Sequence, residues 1–471
     1  MVSSQNEQRK QKTLQEGCLQ KEAVHTPGAE GVQSSKVVQI KREIHKVQHT
    51  GLMEEVVQRD NMKKAYRRVE QNRGAAGIDG IGTKELRDHV WTCWESTKEQ
   101  LLNGTYKPQP VRRVEIPKSD GGKRLLGIPT VMDRMIQQAL LQVLTPIYDP
   151  TFSKYSYGFR PGRNQHQAVK RAQDYIKQGY DYVVEADLEK FFDTVNHDIL
   201  MSKLAKDIGD KRVLKLIRKY LQAGVMINGC CVSSDEGTPQ GGPLSPLLSN
   251  IMLHELDEEL ERRGHRFIRY ADDFNIYVKS RRAGERVLQS VKKFVGERLR
   301  LKVNDAKSAV DKPRRRKILG FTFFRRSGDV KIKLTPKTMK RFEDKIRELT
   351  DRSSGQSMSK IIENLNSYLM GWIGYFQLAQ TRSVFEEFDQ WIRRKLRVCL
   401  LKQWKKPQTK IRNLMTLGIP EELAVSIGSS GKGCWRLSRT QQLHKALGIA
   451  YWREQGLVSL VERYDELRAS A

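Results

Sequence analysis

The sequence predicts an α+β protein in which a small antiparallel sheet packs on helices and a helical region follows. Three observations indicate this class. Apolar and β-branched residues form short strand patterns at residues 182–186 and within residues 265–280. Helical spacing of apolar residues takes over directly after the first of these strands. From Lys333 onward helical periodicity dominates, with a Ser- and Gly-rich break at residues 351–359.

Composition and periodicity divide the chain into four segments. Residues 1–50 are rich in Gln, Lys, Glu, Ser and Gly, so we predict a mostly disordered tail, with a basic arm on RNA as the alternative. Residues 51–330 begin with helices around a glycine-rich loop and continue with mixed strands and helices. Residues 331–412 are predicted to be helical, and residues 413–471 form a short C-terminal region.

The charge balance indicates the kind of partner. Lys and Arg number 85 against 55 Asp and Glu, a net charge of +30 over 471 residues, which predicts a polyanion. The six cysteines show no CxxC spacing, which argues against a zinc ribbon or a disulfide framework and favours a reducing compartment. No uncharged apolar run reaches about 18 residues, and the N-terminus lacks the apolar core of a secretory signal. We therefore expect no membrane partner and a cytoplasmic location.

Two adjacent carboxylates occupy a predicted strand-to-strand turn in Tyr270-Ala271-Asp272-Asp273. A common hairpin has Asn-Gly or Asp-Gly there, whereas two acids repel each other. Hard carboxylate oxygens at close range suit Mg²⁺, although an Asp-Asp pair in a turn can also be simply solvated.

A third carboxylate, Asp187, falls near the C-terminal end of the strand at residues 182–186. If this strand lies beside the predicted hairpin, three carboxylates converge and can hold two Mg²⁺ ions about 3.5–4 Å apart for in-line attack on a phosphate. The alternative is that Asp187 caps the N-terminus of the following helix.

The order of several segments resembles a reverse transcriptase, most closely the reverse transcriptase–maturase encoded inside bacterial group II introns, of the class C type without an endonuclease domain. The resemblance covers roughly residues 55–465, and residues 365–397 resemble the maturase-specific thumb domain. The matching polymerase blocks are, in chain order, residues 111–140, 155–169, 183–200, 237–257, 269–280, 299–308 and 317–324.

This resemblance implies a right-hand polymerase with fingers and a ferredoxin-like palm, followed by a helical thumb/maturase (X) domain and a short DNA-binding region. It assigns metal binding to Asp187, Asp272 and Asp273, with the backbone carbonyl of Leu188 as a further ligand. Phe192, five residues after the first carboxylate, matches the family's steric gate against a 2′-hydroxyl; the alternative is a core phenylalanine, a role that Phe191 can fill.

Four residues are assigned to the incoming nucleotide, two of them by this resemblance and two by their position beside a turn. Gln240 lies in a Gly- and Pro-rich turn and matches the family residue that contacts the nucleotide. Lys118 and Arg124 flank a Gly-Gly turn suited to triphosphate oxygens, and a solvated basic hairpin is the alternative. Lys307 matches a further basic position near the active site.

A basic run suggests an RNA-binding face. Between Trp391 and Arg412 the sequence has nine Lys or Arg and no Asp or Glu, with apolar residues interleaved, so we predict one helix with an apolar stripe and a basic face. The turn at residues 160–163 is expected to grip template backbone or to stabilise the fingers. The residues assigned to RNA on these grounds are Arg160, Arg163, Arg393, Arg394, Lys395 and Arg397.

The leading hypothesis is an RNA-directed DNA polymerase that extends a DNA primer on an RNA template with dNTPs and two Mg²⁺ ions. The resemblance adds a maturase role: binding of a group II intron RNA, assistance to its splicing, and copying of the intron into target DNA. The alternatives are a splicing factor whose polymerase site has decayed, against which the intact Asp187, Asp272 and Asp273 argue, and a domesticated reverse transcriptase.

Overall fold

The computed structural model describes residues 49–470 except 118–121, 228–229, 233–235 and 239–240. The predicted disordered tail therefore lies almost entirely outside the described residues. The described chain begins with α1 (Leu52–Val57), α2 (Arg59–Gln71) and α3 (Leu86–Leu102). The first two pack against α4 (Val131–Tyr148), and the segment between α2 and α3 is loop and turn, as its glycines predict.

Two four-stranded sheets follow the N-terminal helices. In the first, β1 (Val111–Pro117) pairs antiparallel with β2 (Lys123–Ile128) and parallel with β4 (Val225–Ile227). The short strand β5 (Cys230–Val232) closes that sheet against β4.

The second sheet has the order β6-β7-β3-β8, and every neighbouring pair is antiparallel. Its strands are β3 (Tyr182–Ala186), β6 (Arg266–Tyr270), β7 (Asp273–Val278) and β8 (Ala309–Asp311). Helices α5 (Gln165–Lys177), α9 (Ser245–Arg262) and α10 (Arg281–Leu299) pack on it. A small antiparallel sheet on helices is the architecture that the sequence predicts, so the α+β class is confirmed.

A hairpin of β9 (Phe321–Arg326) and β10 (Asp329–Leu334) leads into the helical half of the protein. The other helices before the hairpin are α6 (Phe191–Thr194), α7 (His197–Asp207) and α8 (Lys211–Gln222). Those after it are α11 (Pro336–Leu349), α12 (Met358–Phe376), α13 (Arg382–Gln403), α14 (Pro407–Thr416), α15 (Glu421–Gly428), α16 (Cys434–Leu437), α17 (Gln441–Ala446), α18 (Ile449–Glu454) and α19 (Leu460–Ala469). Among the described helices, none is long and apolar enough to cross a bilayer.

Two hydrophobic clusters hold these elements together. One joins the N-terminal helices, α4, α7 to α10 and one face of the second sheet. The other joins α5, the β9–β10 hairpin and the helices after it. In the second cluster Trp372 packs on Phe342 with 4.3 Å between the ring centroids, and Tyr375 stacks on Phe321. The aromatic rings of α12 therefore pack within the protein.

Candidate active site

The paired carboxylates lie at a tight β6–β7 turn. Tyr270 and Asp273 are paired across the two strands, so Ala271 and Asp272 form a two-residue connection at the predicted strand-to-strand turn. Ala271 adopts a left-handed conformation with φ of +58°. A residue with a Cβ seldom adopts this conformation without support from its surroundings. The local fold thus sets two acidic side chains at one strand end.

Asp187 lies directly after β3, next to that turn. Ala186 pairs with Phe274, so the end of β3 is level with the start of β7. The backbone of Asp187 is fixed by a bond from its N–H to Ser308 Oγ at 3.0 Å and by one from the Asn304 N–H to its carbonyl at 2.8 Å. The N-cap of α6 is Lys190, so the alternative of Asp187 as a helix cap is wrong. Leu188 is buried and bridges to Val303.

The three carboxylates influence one another electrostatically. Displacement of water by the surrounding protein raises the pKa of Asp273 to about 6, and Asp272, Asp187 and Glu185 add to this shift. The pKa of Asp272 is raised too, first by burial and then by Asp187. Asp187 and Asp273 line one cavity. A divalent cation bound to these oxygen donors would relieve their mutual repulsion.

The carboxylates do not form a closed metal cage. Within the described ranges, no three His, Cys, Asp or Glu side chains are arranged as a ready metal cluster. The donor chemistry nevertheless fits Mg²⁺, which keeps several waters and shares its coordination between one or two carboxylates and substrate phosphates.

Phe192 lies at a second cleft, of about 520 Å³, beside Arg124 and Phe159. This volume is within the range of small-molecule sites. The ring of Phe191 next to it is buried, and the two rings meet edge to face at 5.3 Å. Phe191 is therefore a core residue, whereas Phe192 lines the cleft, and its role as a steric gate stays a prediction.

Of the other residues predicted to contact the nucleotide, the structure describes only some. Lys118 and Gln240 lie outside the described residues. Lys307 is exposed on a turn whose backbone bonds to Asn304, one residue before Ser308. Because Ser308 accepts from the Asp187 N–H, this turn adjoins the carboxylates.

The structure contradicts the predicted role of Arg160 in RNA binding. Its side chain is only 6% exposed. The guanidinium donates to the Asp149 carboxylate at 2.7 Å and to the carbonyls of Ser153 at 2.6 Å and Ser156 at 3.1 Å. Arg160 is therefore not available to RNA. Its bonds stabilise the fold, which is the second of the two roles expected of this turn.

We expect Arg160→Gln to destabilise the protein by about 3 kcal/mol, because it leaves the Asp149 carboxylate without its partner. Urea unfolding measures this change, and filter binding should give an RNA affinity of the folded protein within about twofold of wild type. Arg163→Gln is the matched control, since Arg163 lies over the Tyr157 ring at 5.6 Å and makes one long, exposed bond to the Lys154 carbonyl at 3.5 Å. Equal stability of the two variants would contradict this structural role.

The predicted basic helix also needs correction. It ends at Gln403, and a second helix starts at Pro407. Arg397 is only 3% exposed and donates to the carbonyls of Ser438 and Leu447, so it holds the C-terminal helices. Arg394 stacks on Trp435 at 3.6 Å. The side chains of Arg393 and Lys395 are half-buried, so α13 has no continuous solvated basic face.

Two residues near the carboxylates were not singled out by sequence reasoning. Lys317 lines the cavity of Asp187 and Asp273, and its positive charge opposes the upward pKa shift of Asp273. Arg269 is fully buried in β6, two residues before Ala271. An arginine within an apolar strand was the signal that could have revealed the second of these.

Comparison with known proteins defines the domains. Residues 116–323 match the family described as reverse transcriptase (RNA-dependent DNA polymerase), and residues 339–418 match the maturase-specific domain of group II introns. Protein YkfC of Escherichia coli K12 is 39% identical over 218 residues, which are 45% of this chain and 57% of that protein. The group II intron-encoded protein LtrA of Lactococcus lactis is 32% identical over 346 residues, 57% of this chain and 55% of that protein.

The chain thus spans little more than half the length of these relatives. Among solved structures, a partial Cas6-RT-Cas1–Cas2 complex is similar with a TM-score of 0.35 and 29% identity, over 52% of this chain and 42% of that chain. Telomerase from Candida albicans is similar with a TM-score of 0.38 and 14% identity, over 73% and 69%.

The fold and the two matched domains define a reverse transcriptase joined to a maturase domain. The chain carries these two domains in this order and is similar to the group II intron-encoded protein LtrA.

Proposed function

We propose that this protein is an RNA-directed DNA polymerase and a maturase. It binds a group II intron RNA, assists its splicing, and copies it into target DNA in the bacterial cytoplasm. The observation that carries the polymerase proposal is the placement of Asp187 beside the Asp272–Asp273 turn, within the matched reverse transcriptase domain. The maturase proposal is supported by the match at residues 339–418.

The carboxylates would provide the catalytic centre. Asp187, Asp272 and Asp273, with the Leu188 carbonyl, would hold two Mg²⁺ ions. When bound, these ions lower the pKa of the primer 3′-hydroxyl and neutralise charge on the pyrophosphate leaving group. The protein's own contribution is to fix two strand ends side by side, so that oxygen donors from both face the same cavity.

The cleft lined by Phe192 and Arg124 would bind the nucleotide. Arg124, with Lys118, would pair with triphosphate oxygens. Phe192 would pack against the sugar, and Gln240 and Lys307 would complete the contacts. We also propose the functional division of the chain: fingers and palm at residues 51–330, thumb/maturase at 331–412, and DNA binding at 413–471. Each role follows from position in the cleft or from the family's pattern.

Primer extension tests the polymerase proposal. Purified protein with Mg²⁺ and dNTPs should extend a DNA primer on an RNA template. Failure of a folded protein that still binds RNA tightly would favour a splicing factor without polymerase activity. Splicing of the intron RNA, measured with and without the protein, tests the maturase proposal, which requires faster splicing in the presence of the protein. A matched RNA of scrambled sequence is the control.

Phe192→Val should weaken discrimination between dNTPs and rNTPs by about 10- to 100-fold, because a smaller side chain leaves room for a 2′-hydroxyl. The measurement is kcat/KM for each nucleotide pair in single-nucleotide extension. Phe191→Leu is the matched control, since Phe191 is a core residue that is only 2% exposed. It should lower stability and leave sugar discrimination unchanged. A Phe192→Val enzyme that still rejects ribonucleotides would place the gate elsewhere.

The raised pKa of Asp273 predicts how Mg²⁺ stabilisation depends on pH. The folded-state pKa of about 6 lies above the ordinary 3.8, so the stability that protonation contributes is lost as pH rises through about 6. Mg²⁺ binds the ionised form. The rise in Tm caused by Mg²⁺ should therefore be small at about pH 5 and larger at about pH 7. Thermal unfolding measures it, and a pH-independent rise would contradict Mg²⁺ binding at Asp273.

A further inference from the structure

Arg269 forms a buried polar network behind the carboxylate turn. Its guanidinium bonds to the Asp257 carboxylate through Nε at 2.8 Å and Nη2 at 2.6 Å. Nη1 donates to Asn250 Oδ1 at 2.8 Å. Asp257 and Asn250 both lie on α9, and all three side chains are at most 1% exposed. A charged pair so far from solvent is held only by complete hydrogen bonding.

This network reaches the backbone of the turn. Arg269 Nη1 also donates to the carbonyl of Ala271 at 3.0 Å. Ala271 is the residue with the left-handed backbone, φ +58°, immediately before Asp272. Such a conformation persists only where its surroundings impose it, and the bond from Arg269 fixes the Ala271–Asp272 peptide.

The network also ties the turn to the neighbouring segment at residues 155–158. Asn250 Nδ2 donates to the Gly158 carbonyl at 3.0 Å. The backbone of Arg269 exchanges two bonds with this segment, from its N–H to Tyr155 at 3.0 Å and from the Tyr157 N–H to its carbonyl at 2.9 Å. Helix α9, strand β6 and this segment are therefore joined through Arg269 and Asn250.

A contribution to fold stability does not by itself explain why this buried ion pair is present. Replacement of a buried ion pair by apolar side chains of similar volume is often neutral or stabilising. An apolar pair, however, has no directional donor for the Ala271 carbonyl. We propose that Asn250, Asp257 and Arg269 are positioning residues that hold the turn so that Asp272 and Asp273 can share metal ions with Asp187. This proposal rests on the proposed polymerase function, and none of the three touches substrate.

The double variant Arg269→Met/Asp257→Leu tests this proposal, because it removes the donor without leaving a buried charge. We expect it to fold, and its RNA affinity to stay within about twofold of wild type. The kcat of primer extension should fall about 10- to 100-fold, with a smaller change in the KM for dNTP. Binding of Mn²⁺ to the protein alone, followed by electron paramagnetic resonance, should weaken by a similar factor.

Leu256→Ala is the matched control for lost stability, since Leu256 is a core residue on the same helix and 1% exposed. It should lower Tm and leave kcat and Mn²⁺ affinity near wild type. If the double variant keeps wild-type kcat and Mn²⁺ affinity, the network is merely structural and the proposal is overturned.

Arg269→Lys is the second variant if the double variant does not fold. A lysine can pair with Asp257 but lacks the fork that also reaches Asn250 and Ala271. Its kcat and Mn²⁺ affinity should fall in the same direction, and wild-type values for both would overturn the proposal. Absence of extension by the wild-type protein would instead refute the polymerase function, while Mn²⁺ binding would still report on the network.

Discussion

Asp272→Asn is expected to reduce DNA synthesis by at least about a hundredfold. The substitution keeps the shape of the side chain and removes its charge, so it eliminates an anionic metal donor and little else. Single-turnover primer extension on an RNA template measures the loss. RNA binding should stay within a few-fold of wild type, because the substitution leaves all 85 Lys and Arg residues, and with them the attraction to phosphate, unchanged.

The electrostatics of the turn predict the effect of this variant on stability. The pKa of Asp272 is raised by burial and by Asp187, so an ionised side chain at this position lowers the stability of the folded protein relative to an uncharged one. Without Mg²⁺, Asp272→Asn should therefore unfold at the same or a higher temperature than wild type. Loss of synthesis with retained stability would identify a metal ligand. Parallel loss of synthesis, RNA binding and stability would contradict the separation of two functions.

Local pattern predicted the strands and the turn that carry the carboxylates. The apolar runs on both sides of Tyr270-Ala271-Asp272-Asp273 predict a turn between two strands, and the structure has a two-residue turn there. Asp187 was placed at a strand end for the same reason. These features depend on residues close together in the chain, and the periodicity of strands records them directly.

The burial of several arginine side chains could not be predicted in this way. Arg160 and Arg397 look like solvated cations in sequence, yet each is buried against backbone carbonyls. For Arg397 these carbonyls belong to Ser438 and Leu447, more than 40 residues further along the chain. The sequence gives the sign of a side chain's charge, but it carries no information on which distant carbonyls will surround that side chain. The same reason explains why Arg269 was overlooked.

Gly158→Ala is expected to disrupt the carboxylate turn from the opposite side. A Cβ at Gly158 would lie 2.3 Å from the Ala271 backbone nitrogen and 3.0 Å from the Tyr270 carbonyl carbon. These are backbone atoms, so no side chain can rotate away to relieve the contact. The Gly158 carbonyl is itself held by Asn250, and therefore the turn must move. We expect a loss of about 1–3 kcal/mol in the free energy of unfolding.

The same variant should lower the kcat of primer extension by about 10- to 100-fold, because the displaced peptide carries Asp272. Gly296→Ala is the matched control, since a Cβ at this position on α10 would meet no atom of the described residues within 4 Å. It should keep wild-type kcat and gain up to about 1 kcal/mol from the better helix propensity of alanine. Full activity of Gly158→Ala would show that the turn tolerates displacement, and the close approach of the two backbones would then have no catalytic role.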